Sequence, residues 1–140
     1  MPEIINQQTK IKIDCKTLEE FAERLNLQVN ETQGYSFNIA FITDAKMRGL
    51  NSAFRGKDST TDVLSFPRGA EGFDLDENIG DIAISVEQAK KQAEENNLSL
   101  EIELKQLILH GVLHLCGYDH ETDNGEMNSR ELELRDKIGI

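Results

Sequence analysis

Long hydrophobic runs are missing from this 140-residue sequence, which also has no tryptophan and only two prolines. No segment approaches the roughly 18 consecutive apolar residues of a membrane-spanning helix. The N-terminal MPEIINQQTK lacks the apolar stretch that is typical of a signal peptide. Two cysteines, Cys15 and Cys116, are too few and too far apart for a disulfide framework. We therefore expect a cytoplasmic protein with a single domain over residues 1–140.

Basic side chains are also scarce, with 15 Lys and Arg against 26 Asp and Glu and a net charge of −11. This balance argues against a protein that coats nucleic acid, because phosphate binding relies on Lys and Arg. Residues 45–70 are the positive exception, at +3, and we call them the basic island; their cations are Lys46, Arg48, Arg55, Lys57 and Arg68. The island either steers one strand of nucleic acid into a cleft or is an ordinary solvated loop.

Apolar periodicity predicts an α+β fold, with a single mixed sheet of about four strands covered by helices. Alternating or β-rich runs predict strands at 4–5 with 11–13, 35–42, 63–66 and 79–84. Helical spacing and capping residues predict helices that begin at Thr17, Asp44, Ser85 and Ser99, and a last helix over about 123–138. The glycine-rich and acidic segment 69–78 is expected to be a flexible loop.

The helix that follows Ser99 is apolar around most of its circumference, which predicts the buried, central helix of the domain. The last helix carries many charges and is expected on the surface.

All three histidines fall within eleven residues, His110-Gly-Val-Leu-His114-Leu-Cys-Gly-Tyr-Asp-His120. Histidines four apart project from one face of a helix, and Gly117 permits the left-handed turn that returns His120 toward them. Three imidazole nitrogens with an open fourth position suit a tetrahedral divalent ion. We therefore predict that His110, His114 and His120 bind one Zn²⁺ per chain; the alternative is three ordinary histidines near a helix end.

This spacing is also the one that metzincin proteases use for catalytic zinc, but those enzymes carry a general-base Glu directly after the first histidine. Here that position is Gly111. Cys116 lies about 200° around the helix from His114, so we expect it to pack inward rather than bind the metal.

The segment HGVLHLCGYDH resembles the signature of the YbeY family of bacterial single-strand endoribonucleases. Two further segments resemble that family, Leu50–Arg55 followed by Thr61–Pro67, and Gly80–Ile82. The resemblance implies an α+β fold, a zinc-like ion on the three histidines, maturation of ribosomal RNA at the 3′ end in the small subunit, and ribosome quality control. It also implies that Arg55 assists catalysis. Single-stranded RNA and the small ribosomal subunit are the implied partners; we expect no DNA or membrane partner.

The roles of several neighbouring residues stay open. Arg55 offers a planar cation that pairs with phosphate through two nitrogens. The general base is metal-bound hydroxide, Asp119 or another group, although Asp119 is also suited to capping the turn before His120. Tyr118 either packs in the core or stacks on a base. The remaining hypotheses concern local structure. Asp62 and Asp81 either brace loops or pair with Arg55, and a structural salt bridge from Arg55 to Asp58 or Asp62 is the alternative to a catalytic role for Arg55. Gly80 indicates a close backbone approach.

Two other functions compete with RNA cleavage. A metzincin-like metallopeptidase is disfavoured by the missing glutamate. A non-enzymatic, ribosome-associated module with structural zinc would need four protein ligands, whereas three are evident, which favours an open catalytic site.

Overall fold

A four-stranded sheet lies at the centre of the computed structural model, which describes residues 2–67, 78–119 and 121–140. The strands within these ranges are β1 (Glu3–Asn6), β2 (Ser36–Ile42), β3 (Val63–Pro67) and β4 (Asn78–Ser85). The α-helices are α1 (Cys15–Gln28), α2 (Asp44–Arg55), α3 (Val86–Glu95), α4 (Leu100–Leu115) and α5 (Glu126–Ile138), and a short 3₁₀ helix covers Asn30–Thr32. None of the helices described is both long and apolar enough to span a membrane.

The strand order is β1-β2-β4-β3. Strands β1, β2 and β4 run parallel to one another, whereas β3 runs antiparallel to β4 and forms one edge of the sheet. The predicted α+β class, with one mixed sheet of about four strands, is therefore confirmed.

Helices cover both faces of this sheet because its strands bury side chains in both directions. On one face a large apolar cluster joins the sheet to α1, α3, α4 and α5, and its strand residues include Phe37, Ile39, Phe41, Ile82 and Ile84. On the other face a smaller cluster joins the sheet to α2, through Ile42, Met47, Leu64 and Ala83. Helices α2 and α4 consequently lie on opposite faces, with the edge strand β3 between them.

Side-chain caps determine where the helices begin. Ser85 and Ser99 cap α3 and α4 as predicted, accepting hydrogen bonds from the backbone N–H groups three residues later. The cap predicted at Thr17 is wrong, because Asp14 accepts the N–H of Thr17 at 3.2 Å and α1 begins at Cys15.

The cap predicted at Asp44 is also wrong, because Thr43 accepts the N–H of Lys46 at 3.2 Å. Asp44 instead accepts hydrogen bonds from the side chains of Thr60, Ser85 and Gln88. A carboxylate with three such donors is not available to cap its own helix.

One further prediction about elements fails. Residues 11–13 form no strand, because the buried side chain of Gln8 bonds the backbone N–H and C=O of Ile11 at 3.0 and 2.8 Å. Helix α5 lies on the surface as predicted, and it buries one face through Met127 and Leu134. Of the predicted flexible loop 69–78, residues 69–77 lie outside the described residues and Asn78 begins β4.

Gly80 permits a close approach between β4 and its neighbours. Its φ is +148°, and a Cβ there would lie 2.5 Å from the carbonyl oxygen of Phe66 and 2.6 Å from Cδ2 of Leu115. The predicted close backbone approach at Gly80 is confirmed.

Candidate active site

Helix α4 brings His110 and His114 together on its one polar face. Apolar residues on the rest of its surface, such as Leu107, Ile108 and Val112, are buried against the sheet and the other helices. The two imidazole rings lie with their centroids 4.7 Å apart, and their Nε2 atoms are separated by 3.2 Å. The four-residue spacing therefore places both rings on one face.

The separation of the two Nε2 atoms fits a shared metal ion. Two nitrogens that each lie about 2.0–2.1 Å from a tetrahedral zinc are about 3.3 Å apart. Among the residues that the structure describes, no third His, Cys, Asp or Glu completes a metal-binding group with them. His120, the third predicted ligand, lies outside the described residues.

Glu131, on α5, orients the ring of His110. Its Oε1 lies 2.7 Å from Nδ1 of His110, and its Oε2 accepts a hydrogen bond from Arg135 at 2.9 Å. Burial opposes ionisation of Glu131, but the hydrogen bond with His110 and the nearby positive charges outweigh it, so the pKa of Glu131 is below its usual range. A carboxylate only accepts hydrogen bonds. We therefore assign a proton to Nδ1 of His110, so that Nε2 is the ring nitrogen that faces His114.

Glu131 is a residue of the site that was not predicted from the sequence. Glu131 follows Met127 by four residues and precedes Leu134 by three, and all three side chains are buried. The feature of the sequence that could have indicated its role is its position, since it is a glutamate that shares the apolar face of a mostly charged helix.

Gly111, next to His110, faces the sheet and not the cavity. A Cβ at this position would lie 2.9 to 3.2 Å from side-chain carbons of Ile82 on β4. The carbonyl of Gly111 also accepts a hydrogen bond from the Ser65 hydroxyl on β3, at 3.3 Å. A larger side chain here, such as the glutamate of metzincins, would meet the sheet.

A cavity of about 590 Å³, which we call the edge cavity, runs along β3 and joins the two layers of helices. It is bounded on one side by the C-terminal end of α2 and on the other by α4, and among its lining residues are Phe54, Arg55, Lys57, Phe66, His110 and His114. The structure thus brings Arg55 to the same cavity as the two described histidines.

The cations of the basic island do not act as one patch. Arg55 and Lys57 line the edge cavity, whereas Lys46 donates to Gln7 on another side. Arg48 binds Asp58 through two hydrogen bonds, at 2.9 and 3.2 Å. Arg68 lies outside the described residues.

The salt bridge considered between Arg55 and Asp58 or Asp62 is absent from the part of the chain that the structure describes. Asp58 forms its salt bridge with Arg48, and Asp62 accepts a hydrogen bond from the backbone N–H of Val63 at 2.8 Å. Asp81 accepts a hydrogen bond from Asn38 at 3.0 Å and so braces the sheet. The loop-bracing role predicted for Asp62 is confirmed, Asp81 braces the sheet and not a loop, and the pairing of either residue with Arg55 is wrong.

The turn after α4 is held by a network around Glu31. Gly117 adopts a φ of +102° and ends the helix as predicted. The Tyr118 hydroxyl donates to Glu31 at 2.9 Å, and Arg130 donates to both oxygens of the same carboxylate at 2.8 and 2.9 Å. Hydrogen bonding to Arg130 is the main reason that the pKa of Glu31 falls to about 2.

Tyr118, Asp119 and Cys116 have structural roles at this turn. Tyr118 packs against the main apolar cluster, and Asp119 accepts the backbone N–H of Glu121 at 3.0 Å. Cys116 also packs against that cluster, and burial raises the pKa of its thiol to about 11. The packing predicted for Tyr118 and Cys116 is confirmed, and the side chain of Asp119 binds the backbone two residues later.

Comparisons with known proteins identify the family of the chain. The family model described as "Endoribonuclease YbeY" matches residues 3–139. The chain is 46% identical over 123 residues to the endoribonuclease YbeY of Solibacter usitatus, covering 88% of this chain and 78% of that protein. It is 45% identical over 132 residues to the corresponding protein of Nautilia profundicola, covering 93% and 92%.

A solved structure has a similar fold. The solution structure of a Thermotoga maritima protein matches with a TM-score of 0.68 and 31% identity, over 99% of this chain and 89% of that one. Since the family model spans nearly the whole sequence and the similar proteins align over most of their length, the chain belongs to the endoribonuclease YbeY family.

Proposed function

We propose that the protein is a metal-dependent endoribonuclease that cleaves single-stranded RNA. Membership of the YbeY family supports the reaction class. The observation that carries the proposal is the edge cavity, where His110 and His114 lie with paired Nε2 atoms and Arg55 lines the same space.

His110, His114 and His120 would hold one Zn²⁺ per chain. The 3.2 Å separation of their Nε2 atoms and the hydrogen bond from Nδ1 of His110 to Glu131 support His110 and His114 as ligands. His120 is proposed from its spacing in the sequence and from the family resemblance. When bound, the ion would supply Lewis acidity toward a phosphoryl oxygen.

The chain's own residues then bind and orient the substrate. Arg55 offers a planar guanidinium, which pairs with phosphate oxygens through two nitrogens and stabilises the negative charge that develops during cleavage. Glu131 fixes the ring of His110, so that its Nε2 lone pair keeps one direction. Lys57 adds a second positive charge on the same cavity wall.

The finer assignments follow from the family resemblance. We propose that the cellular substrate is ribosomal RNA, processed at the 3′ end in the small subunit, and that the protein contributes to ribosome quality control in the cytoplasm. Tight packing of Gly111 against Ile82 is a physical argument against the metallopeptidase alternative, because position 111 has no carboxylate and a glutamate there would meet the sheet.

Cleavage and metal content test the proposal together. Protein purified without a histidine tag should contain close to one equivalent of zinc, and the double variant His110→Ala/His114→Ala should contain almost none. The metal-loaded protein should cut single-stranded RNA faster than duplex RNA, and the His114→Ala variant should not cut either.

Other results would favour the alternatives. Zinc that stays bound in the double variant would contradict the ligand assignment. One equivalent of zinc without RNA cleavage would favour the non-enzymatic module, and cleavage of casein without RNA cleavage would favour the peptidase.

A further inference from the structure

Phe54 is an exposed aromatic residue on the wall of the edge cavity. It exposes 67% of its surface, although it continues the apolar spacing of Met47 and Leu50 in α2. Aromatic side chains bury large areas when they serve the core. Phe54 therefore contributes little to the core, and its exposed ring needs another explanation.

The ring of Phe54 packs against the ring of Phe66. Phe66, on β3, lies 5.3 Å from it between ring centroids, at an angle of 70°, and itself packs against the smaller apolar cluster. Gly56, with a φ of +69°, ends α2 two residues after Phe54. A ring supported in this way offers a flat face to a ligand at a small cost in side-chain entropy.

The charges beside this ring match a nucleotide. Arg55 and Lys57 line the same cavity and suit phosphates, and His110 and His114 lie on its opposite wall. An aromatic face next to cations is the combination by which proteins bind single-stranded nucleic acid, through base stacking and phosphate contacts.

We propose that Phe54, supported by Phe66, is a stacking site for one unpaired nucleobase of the RNA substrate. The inference rests on the proposed function, in that the ligand is RNA. Every nucleobase has a π face, so the site accepts any base. A base inside a duplex is already stacked on both sides, so the site favours single strands.

A tryptophan at position 54 tests stacking without any cleavage. The sequence has no tryptophan, so the Phe54→Trp variant carries one fluorophore, at the proposed site. With chelator present, an oligouridine strand should quench its emission, and an abasic ribose-phosphate strand of the same length and charge should not. Equal quenching by the two strands would overturn the proposal. Absence of quenching by both strands would also overturn it, if fluorescence anisotropy shows that a labelled oligouridine binds.

Substitution by an apolar residue without a ring gives the second test. Phe54→Leu should raise the Kd for oligouridine roughly 5-fold to 100-fold and leave the Kd for the abasic strand within about 2-fold. Phe54→Tyr should bind both strands as the parent does. Leu27→Ala is the control, because Leu27 is 84% exposed on α1 and does not line the edge cavity.

The two experiments separate this inference from the proposed function. Quenching by oligouridine in a protein that never cuts RNA would support the stacking site and contradict the endonuclease. Metal-dependent cleavage with unchanged oligouridine affinity in Phe54→Leu would support the endonuclease and overturn the stacking site.

Discussion

Two residues beside the histidine pair, Gly111 and Glu131, limit the chemistry that α4 can support. Gly111 allows the helix to lie directly on Ile82, and Glu131 sets the orientation of His110 from a different helix. Gly111 acts because it has no side chain to keep α4 away from the sheet, and Glu131 acts through its hydrogen bond with His110. Each role leads to a different measurable property.

Replacing Gly111 by alanine should destabilise the fold. The added Cβ would lie within 3.2 Å of Ile82, which is 1% exposed and has no free space to move into. We expect a loss of about 1–3 kcal/mol in the free energy of unfolding, measured by urea denaturation. Gly49→Ala is the control: nothing lies within 4 Å of its Cβ position on α2, and it should stabilise by about 0.5–1 kcal/mol. Equal effects at the two glycines would contradict the packing argument.

Replacing Glu131 by alanine should weaken binding of the proposed Zn²⁺. Loss of the carboxylate that orients a metal-binding histidine reduces affinity by about 10- to 100-fold. Competition with a chromophoric chelator measures the change, and circular dichroism of the metal-free variant checks the fold. Asp136→Ala, an exposed acid on the same helix, should stay within about 2-fold of the parent. An unchanged affinity in Glu131→Ala would remove Glu131 from the site.

Arg55→Lys should lower the single-turnover cleavage rate by about 10-fold or more, because lysine keeps the charge but loses the two-nitrogen contact with phosphate. Thermal melting should be unchanged, since Arg55 forms no ion pair within the described residues. Arg48→Lys is the matched control on the same helix and should keep full activity. Full activity in Arg55→Lys would restrict Arg55 to attracting the substrate.

At the residue level, the sequence was sufficient where the signal is local. The four-residue histidine spacing, the glycine at 80 and the cysteine at 116 could all be interpreted from neighbours a few positions away. The contact between His110 and Glu131 could not, because 21 residues separate them and the charges of α5 suggested a surface helix.

At the level of elements, the serine caps of α3 and α4 were predicted correctly, because each serine is the one suitable acceptor just before its helix. The starts of α1 and α2 were misplaced because each offers two acceptors, Asp14 or Thr17 and Thr43 or Asp44. At α2 the tertiary partners of Asp44 decide between the two acceptors, whereas at α1 the Thr17 hydroxyl itself donates to Asp14. The order of strands in the sheet depends on the same long-range packing and did not follow from the pattern of the sequence.

The Glu31 network connects three elements, which are the 3₁₀ helix, helix α5 and the turn that follows α4. Its contribution to the free energy of unfolding should depend on pH. The pKa of Glu31 is lowered in the folded protein to about 2 from about 4.5. Its stabilising contribution is therefore complete above about pH 4.5 and is lost as the pH falls through about 2. Glu31→Gln should cost about 1–3 kcal/mol at pH 7, and the difference from the parent should shrink in this window.

Urea denaturation of both proteins between pH 7 and pH 2 measures this dependence. Glu20→Gln, on the exposed side of α1, is the control and should show little difference at any pH. A stability difference for Glu31→Gln that stays constant down to pH 2 would contradict the role of the carboxylate charge.

At the scale of the whole molecule, the candidate site joins parts that the sheet keeps apart. Helix α2 contributes Arg55 from one face, α4 contributes the histidines from the other, and α5 supports them through Glu131. A ligand that bridges α4 and the following turn should therefore stabilise the packing of several elements at once.

Removal of metal should consequently lower the melting temperature. A ligand at about 100 times its Kd adds about 2.7 kcal/mol to the stability of the folded state, which corresponds to a shift of several degrees in Tm for a domain of this size. The measurement is a thermal melt of zinc-loaded protein with and without chelator. The His110→Ala/His114→Ala variant should not respond to chelator. An unchanged Tm in the parent, with metal loss verified, would mean that metal binding is not coupled to folding.

The edge position of β3 has a consequence for the solubility of the protein. An open sheet edge can pair with the edge of a second molecule, which is a common route to aggregation. Here one edge is the short strand β1, which has four residues. The other edge, β3, ends in Pro67, which has no N–H to donate. Strand β3 also borders the edge cavity, which is suited to a strand of RNA. Bound RNA would shield β3 from another copy of the chain. The same surface then serves substrate binding and resistance to self-association, so aggregation should be slowest when RNA is present.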